Sequence, residues 1–182
     1  MYTNEEEAIK LVVKAFENKK RLKEDINLSV HSLTVGFMLK DIGCDEKVVI
    51  SGLLHDIIED TEYDYDYLKE NFGTEIADYV KAVSEDTSIK DWHKRKEIFI
   101  ENLYNKNEDI ILIELADKLH NLLSDYNSFQ KEGKKGLATS VTYEDNCWYY
   151  LEMKKLFNEK LTNNRLLERY NNIWNKEKVI YL

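Results

Sequence analysis

The sequence predicts an all-α protein, a bundle of roughly eight to ten helices, and three observations carry that reading. Proline is absent and glycine occurs only six times, so little interrupts helical runs. Apolar residues recur at three- and four-residue spacing along most of the chain. No stretch alternates apolar and polar residues long enough for a half-buried strand.

The elements follow in order. Residues 5–18 place Ala8, Ile9, Val12, Val13 and Phe16 on one face. A second helix is expected from about Asn27 to Ile42, stopped by Gly43 in the C-cap role glycine favours. Asp45 is positioned to cap a third helix over 46–58, apolar nearly all round and therefore central. A short amphipathic segment at 65–71 ends near Gly73, and Thr74 is positioned to cap a helix over 75–84. Further helices are expected at 91–104 and 109–124, the latter burying Ile110, Ile111, Ile113, Leu115, Leu119 and Leu122. KEGKKGLAT, residues 131–139, reads as a mobile loop and a candidate lid. Helices over 143–160 and 162–174 close the chain, carrying Trp148, Tyr149, Tyr150 and Trp174.

Length and composition bound the class. A chain of 182 residues suits one domain with its own core. Its net charge of -9 argues against binding a nucleic acid polymer, which needs an extended basic surface. No apolar run reaches the about 18 residues a membrane span requires. MYTNEEEAIK lacks signal-peptide chemistry, and Cys44 and Cys147 are isolated thiols rather than a CxxC pair. A soluble cytoplasmic protein is expected.

The chemistry lies in SGLLHDIIEDT, residues 51–61. His55-Asp56 interrupts an apolar run, and Glu59-Asp60 ends it. Ionisable groups on a segment that patterning would bury are costly unless compensated, and a metal ion suits imidazole beside carboxylates. His31 in LSVHSLTVGFML and Asp117 in IELADKLHNLL are two further polar interruptions of apolar helices. Two imidazoles and two carboxylates make four ligands for manganese, iron or zinc. Their wide sequence separation requires several helices to converge. Taken alone, a buried histidine is more often a core residue than a ligand, so the combination matters. His93 in KDWHKRKE, with Arg95 and Lys96, reads as a solvated face, and His120 as a packing or supporting residue.

This set of motifs resembles the HD-domain metal-dependent phosphohydrolases, above all the hydrolase domain of the RelA/SpoT alarmone enzymes and their small stand-alone relatives. The resemblance rests on His31, on HDIIEDT with the FG turn that follows, and on ADKLHN, over about residues 8–125. It implies an HD-domain helical bundle with His31, His55, Asp56 and Asp117 around one metal, usually manganese. It implies that Glu59 and Asp60 activate the attacking water. Lys20, Arg21, Lys118 and Asn121 would then contact a small phosphorylated nucleotide, with helices 143–174 completing the pocket. The implied reaction is 3′-pyrophosphate release from guanosine tetra- or pentaphosphate. Removal of phosphate from a nucleoside monophosphate or NADPH stays open, as does a non-catalytic nucleotide sensor. Ser32 after the first histidine, the glycine-free KKRLKEDINLSV and Glu144 depart from the family pattern, and all three touch nucleotide recognition rather than the metal centre.

Overall fold

A computed structural model describes residues 4–21, 24–133 and 141–181, with side chains through residue 176. Ten helical segments occur among the described residues: α1 (Asn4–Ala15), α2 (Ser29–Asp41), α3 (Glu46–Leu54), α4 (Ile57–Asp60), α5 (Tyr65–Phe72), α6 (Thr74–Val83), α7 (Trp92–Leu103), α8 (Glu108–Glu132), α9 (Tyr143–Lys160) and α10 (Arg165–Tyr181). The only strand-like pairing among them is one antiparallel bridge, Lys20 to Asn27.

Polar residues set the helix starts. Asp64, Asp91, Asn107 and Thr142 each accept a backbone N–H of the first turn, opening α5, α7, α8 and α9. Asp45 occupies the N-cap position of α3, but its side chain makes no capping bond. Thr74 differs from expectation too. It is already helical, and Gly73, at a φ of 91° that favours glycine, both ends α5 and starts α6.

Helix α8 is the longest segment and the hub, packing against α2, α3, α6, α9 and α10. It extends to Glu132, so the expected loop begins later than Lys131; residues 134–139 lie outside the described residues. Ile111, Ile113, Leu115, Leu119 and Leu122 are fully buried along it. Helices α2 and α3 approach closely because both carry glycine at the crossing. A Cβ on Gly36 would stand 2.4 Å from Leu53 Cδ2, and one on Gly52 would stand 2.3 Å from Leu39 Cδ1. That approach brings His31 and His55 within bonding range of each other.

The expected continuous helix over 46–58 is broken. Helix α3 stops at Leu54, and Asp56 takes φ −88° and ψ −4°, the bridge conformation, before α4 begins. In an unbroken helix adjacent side chains diverge by about 100°. The break turns His55 and Asp56 toward one point.

Candidate active site

His31 from α2, His55 and Asp56 from the α3–α4 junction, and Asp117 from α8 converge at the floor of a cleft of about 600 Å³. His31 Nε2 lies 3.1 Å from His55 Nε2 and 3.0 Å from Asp117 Oδ1. Asp56 adds Oδ1 at 3.1 Å from His55 Nε2 and Oδ2 at 3.6 Å from His31 Nε2. Asp117 Oδ1 is 3.7 Å from His55 Nε2. His31, His55 and Asp117 are buried, and their donor atoms all lie within 4.8 Å of one another, with Asp56 at the open side.

These residues fit a single divalent ion. Donor atoms bonded at about 2.1 Å to one ion stand about 3.0 Å apart on an octahedral edge and about 3.4 Å on a tetrahedral one. The separations here span that range. His55 also aims the right nitrogen: its Nδ1 meets the Gly52 carbonyl at 2.9 Å, so Nδ1 keeps its proton and Nε2 is the nitrogen that would ligate an ion on losing its own. The mixed nitrogen and oxygen set matches manganese, iron or zinc.

Without a cation the four groups neutralise one another through protons. Burial pulls the His55 imidazole down, but Asp56 and Asp117 outweigh it and push it up to about 10. Burial likewise opposes ionisation of Asp117, yet Lys118 and His31 hold it well below the usual carboxylate range.

Further residues of α8 share the face of Asp117, because residues three, four and seven positions apart line one side of a helix. Asn121 Nδ2 donates to Asp117 Oδ1 at 2.6 Å. Lys118 Nζ pairs with Asp117 Oδ2 at 2.6 Å and with Glu114 Oε1 at 2.9 Å, under the ring of Tyr149. Burial, opposed by Lys118, raises the Glu114 carboxyl to about 7. Lys118 is therefore engaged with protein carboxylates where it lines the cleft.

The opposite wall is a tight loop. Leu28 N–H bonds the Lys19 carbonyl and Arg21 N–H bonds the Ile26 carbonyl, presenting Lys19, Lys20 and Arg21 to the cleft. Lys20 is exposed and reaches Asp25. Arg21 is nearly buried; it donates to Asn121 Oδ1 at 3.2 Å, approaches His120 Nδ1 at 3.4 Å and pairs with Glu24 at 3.0 Å. Glu59 and Asp60, one turn past the metal-type donors on α4, form the third side. Burial drives the Glu59 carboxyl up to about 7 against the pull of the Glu85 N–H, which it accepts at 2.8 Å. Burial and then Asp56 raise Asp60 as well.

All ten residues singled out in the sequence line this cleft. It also contains residues that sequence reasoning passed over: Lys19, Glu85, Ser124, Asp125 and Asn146. Ser124, seven residues past Asp117, was visible in the helical spacing. Glu85 and Asn146 carry no comparable signal, since only tertiary packing brings them in. The solvated-face reading of Arg95 and Lys96 is corrected, because both pack inward on Glu85. His93 is exposed and stacks on Trp148 at 3.9 Å. Of Trp148, Tyr149 and Tyr150 on α9, Tyr150 lines the cleft, while Tyr149 lies beneath Lys96 and Lys118.

Known proteins resemble the chain in sequence and in fold. Drosophila melanogaster MESH1, a guanosine-3′,5′-bis(diphosphate) 3′-pyrophosphohydrolase, is 29% identical over 85% of this chain and 84% of its own length. The Aquifex aeolicus enzyme of the same activity name is 33% identical over 60% of this chain, which spans only 16% of that longer protein. Among solved structures, a metazoan SpoT ortholog described as hydrolysing ppGpp superposes with a TM-score of 0.79, at 26% identity and 97% coverage of both chains. The lmo0812 protein of Listeria monocytogenes EGD-e superposes at 0.74, with 28% identity, covering 84% of this chain and 96% of its own. Residues 8–143 match the HD domain family, so the chain belongs to that family.

Proposed function

We propose that the protein is a cytoplasmic, metal-dependent phosphohydrolase that removes the 3′-diphosphate of guanosine 3′,5′-bis(diphosphate), releasing pyrophosphate and GDP. One observation carries the proposal: two acids, Glu59 and Asp60, stand beside the four-donor centre on the same cleft wall. A site that only sensed a nucleotide has no need of a base there. Similarity to MESH1 across most of both chains supports the substrate, and the motif core with the C-terminal helices would act as one unit.

His31, His55, Asp56 and Asp117 would hold the ion, with manganese the leading candidate. When bound, the ion supplies Lewis acidity and lowers the pKa of a coordinated water. Glu59 takes a proton from the attacking water; its carboxyl near 7 is well matched to that role at neutral pH. The water oxygen bonds to the phosphorus nearest the ribose, the bond from that phosphorus to the 3′ oxygen breaks, and the 3′ oxygen gains a proton. Asp60 assists at the same side. Lys20, at the open rim, meets the phosphates. Arg21 and Asn121 bridge the loop to Asp117, so they hold nucleotide and centre in one register. Lys118 sustains the ionised Asp117 from behind.

The test is a manganese-supplemented panel of ppGpp, NADPH and deoxynucleoside monophosphates, following phosphate and pyrophosphate separately. Pyrophosphate from ppGpp alone is expected. Phosphate from a monophosphate or NADPH would redirect the substrate assignment, and no turnover with retained nucleotide binding would leave a sensor. Asp56→Ala should lose metal and activity together.

A further inference from the structure

Helix α7 and the turn before it carry a charge cluster that none of the chemistry above uses. Glu85 lies at the end of this turn nearest the cleft, with its side chain only 10% exposed. Arg95 Nε donates to Glu85 Oε2 at 2.9 Å, and Lys96 Nζ pairs with Oε1. Arg95 also donates through Nη1 to the Ile89 carbonyl at 2.8 Å, closing the turn on itself. Lys96 is seated in turn over the Tyr149 ring at 4.3 Å, with Trp92 alongside at 5.7 Å. Both oxygens of Glu85 are therefore engaged by cations that packing holds still. The backbone N–H of the same residue points the other way and donates to Glu59 Oε1 at 2.8 Å.

We propose that Glu85 is a positioning residue: clamped by Arg95 and Lys96, it fixes its own backbone N–H on Glu59 and thereby fixes the proton-accepting carboxylate against the metal centre. The inference rests on the reading of Glu59 as the base. A carboxylate open to the cleft has free rotation about its side-chain bonds, and one rigid donor on one oxygen removes much of it. The bond occupies Oε1, and Oε2 of this cleft-lining residue would be the proton acceptor. Misplacement by about 1 Å can cost about 100-fold in rate, so holding this group is worth a dedicated cluster.

Four variants test it: Glu85→Gln, Lys96→Met, Lys96→Arg and Glu59→Gln, each checked for manganese binding and thermal melting. Glu85→Gln and Lys96→Met are expected to lower kcat about tenfold with KM within about twofold, and Lys96→Arg to restore it. Hydrogen exchange of the Glu85 amide in the metal-free protein gives a readout apart from turnover. It should be slow in the parent, faster in Lys96→Met and slow again in Lys96→Arg. In a Glu59→Gln background, Glu85→Gln should cost little more, because the two act through one group. Equal losses from Glu85→Gln in both backgrounds, or parent-like kcat in Glu85→Gln and Lys96→Met, would overturn the clamp and leave the base assignment standing. Full turnover in Glu59→Gln would overturn both.

Discussion

His31 and His120 meet through their Nδ1 atoms at 2.7 Å, with the rings near parallel, so one nitrogen must donate and the other accept. Burial, then His31 and Arg21, hold His120 down at about 4, which keeps it neutral. Arg21 also directs an N–H at the same His120 nitrogen, which makes that nitrogen the acceptor. The Nδ1 of His31 is then the donor of this pair, which leaves its Nε2, facing His55 and Asp117, as the nitrogen an ion would take.

His120 should therefore matter to metal binding although it touches no metal position. His120→Leu removes the acceptor and frees the His31 tautomer, with an expected loss of about 10- to 100-fold in manganese affinity. His120→Gln keeps an acceptor oxygen and should retain most of it. Titration calorimetry decides: parent-like affinity in His120→Leu would refute the orienting role.

Metal loading should release protons. In the metal-free protein His55 is kept charged to about 10 by Asp56 and Asp117, which outweigh its burial. A charged imidazole has no lone pair, so the ion competes with a proton and affinity rises with pH, about tenfold per unit while His55 stays protonated. The same shift has a stability sign. The folded value lies above the ordinary 6.5, so the contribution is full below 6.5 and lost as pH rises through about 10. Manganese titrations at pH 6.5, 7.5 and 8.5 in buffers of different ionisation enthalpy measure the proton count; a pH-independent affinity would contradict it.

The glycine crossing of α2 and α3 predicts a coupled defect. Gly36→Ala would set a methyl 2.4 Å from Leu53 Cδ2 and 2.6 Å from Leu53 Cγ, in a core position. Overpacking of this kind costs about 1–3 kcal/mol. Since the same crossing sets the distance between His31 and His55, manganese affinity should fall with stability. Urea unfolding and calorimetry on one variant check both; a stability loss with untouched affinity would separate the crossing from the centre.

Much of the bundle and the residues of the candidate metal site could be read from residue order, for a physical reason. Helical spacing is local, and an acid such as Asp117 inside an apolar helix stands out without knowledge of its neighbours. The break at His55-Asp56 was not legible, because the run looks helical throughout and only convergence on His31 and Asp117 requires the turn. Lys96 was misread for the same reason. HKRKE has the composition of a solvated face, and the burying partners are Glu85 from the turn before α7 and Tyr149 from a helix distant in sequence.

Glu59 carries the last expectation. Burial raises its carboxyl to about 7, the Glu85 N–H opposes, and the charges of Glu85 and Asp56 raise it further. A base must be ionised to accept a proton, so kcat should climb with pH through about 7 with unit slope. Glu59→Gln should remove that limb and leave about a hundredth of the rate. Its stability effect runs the opposite way. The folded value exceeds the ordinary 4.5, so ionisation costs the fold nothing below 4.5 and its full penalty above 7. The metal-free Glu59→Gln protein should match the parent at pH 4.5 and exceed it at pH 8, by less than about 1 kcal/mol because cleft water screens the group. Urea melts at the two pH values test the sign, and an equal difference at both would show that Glu59 does not titrate there.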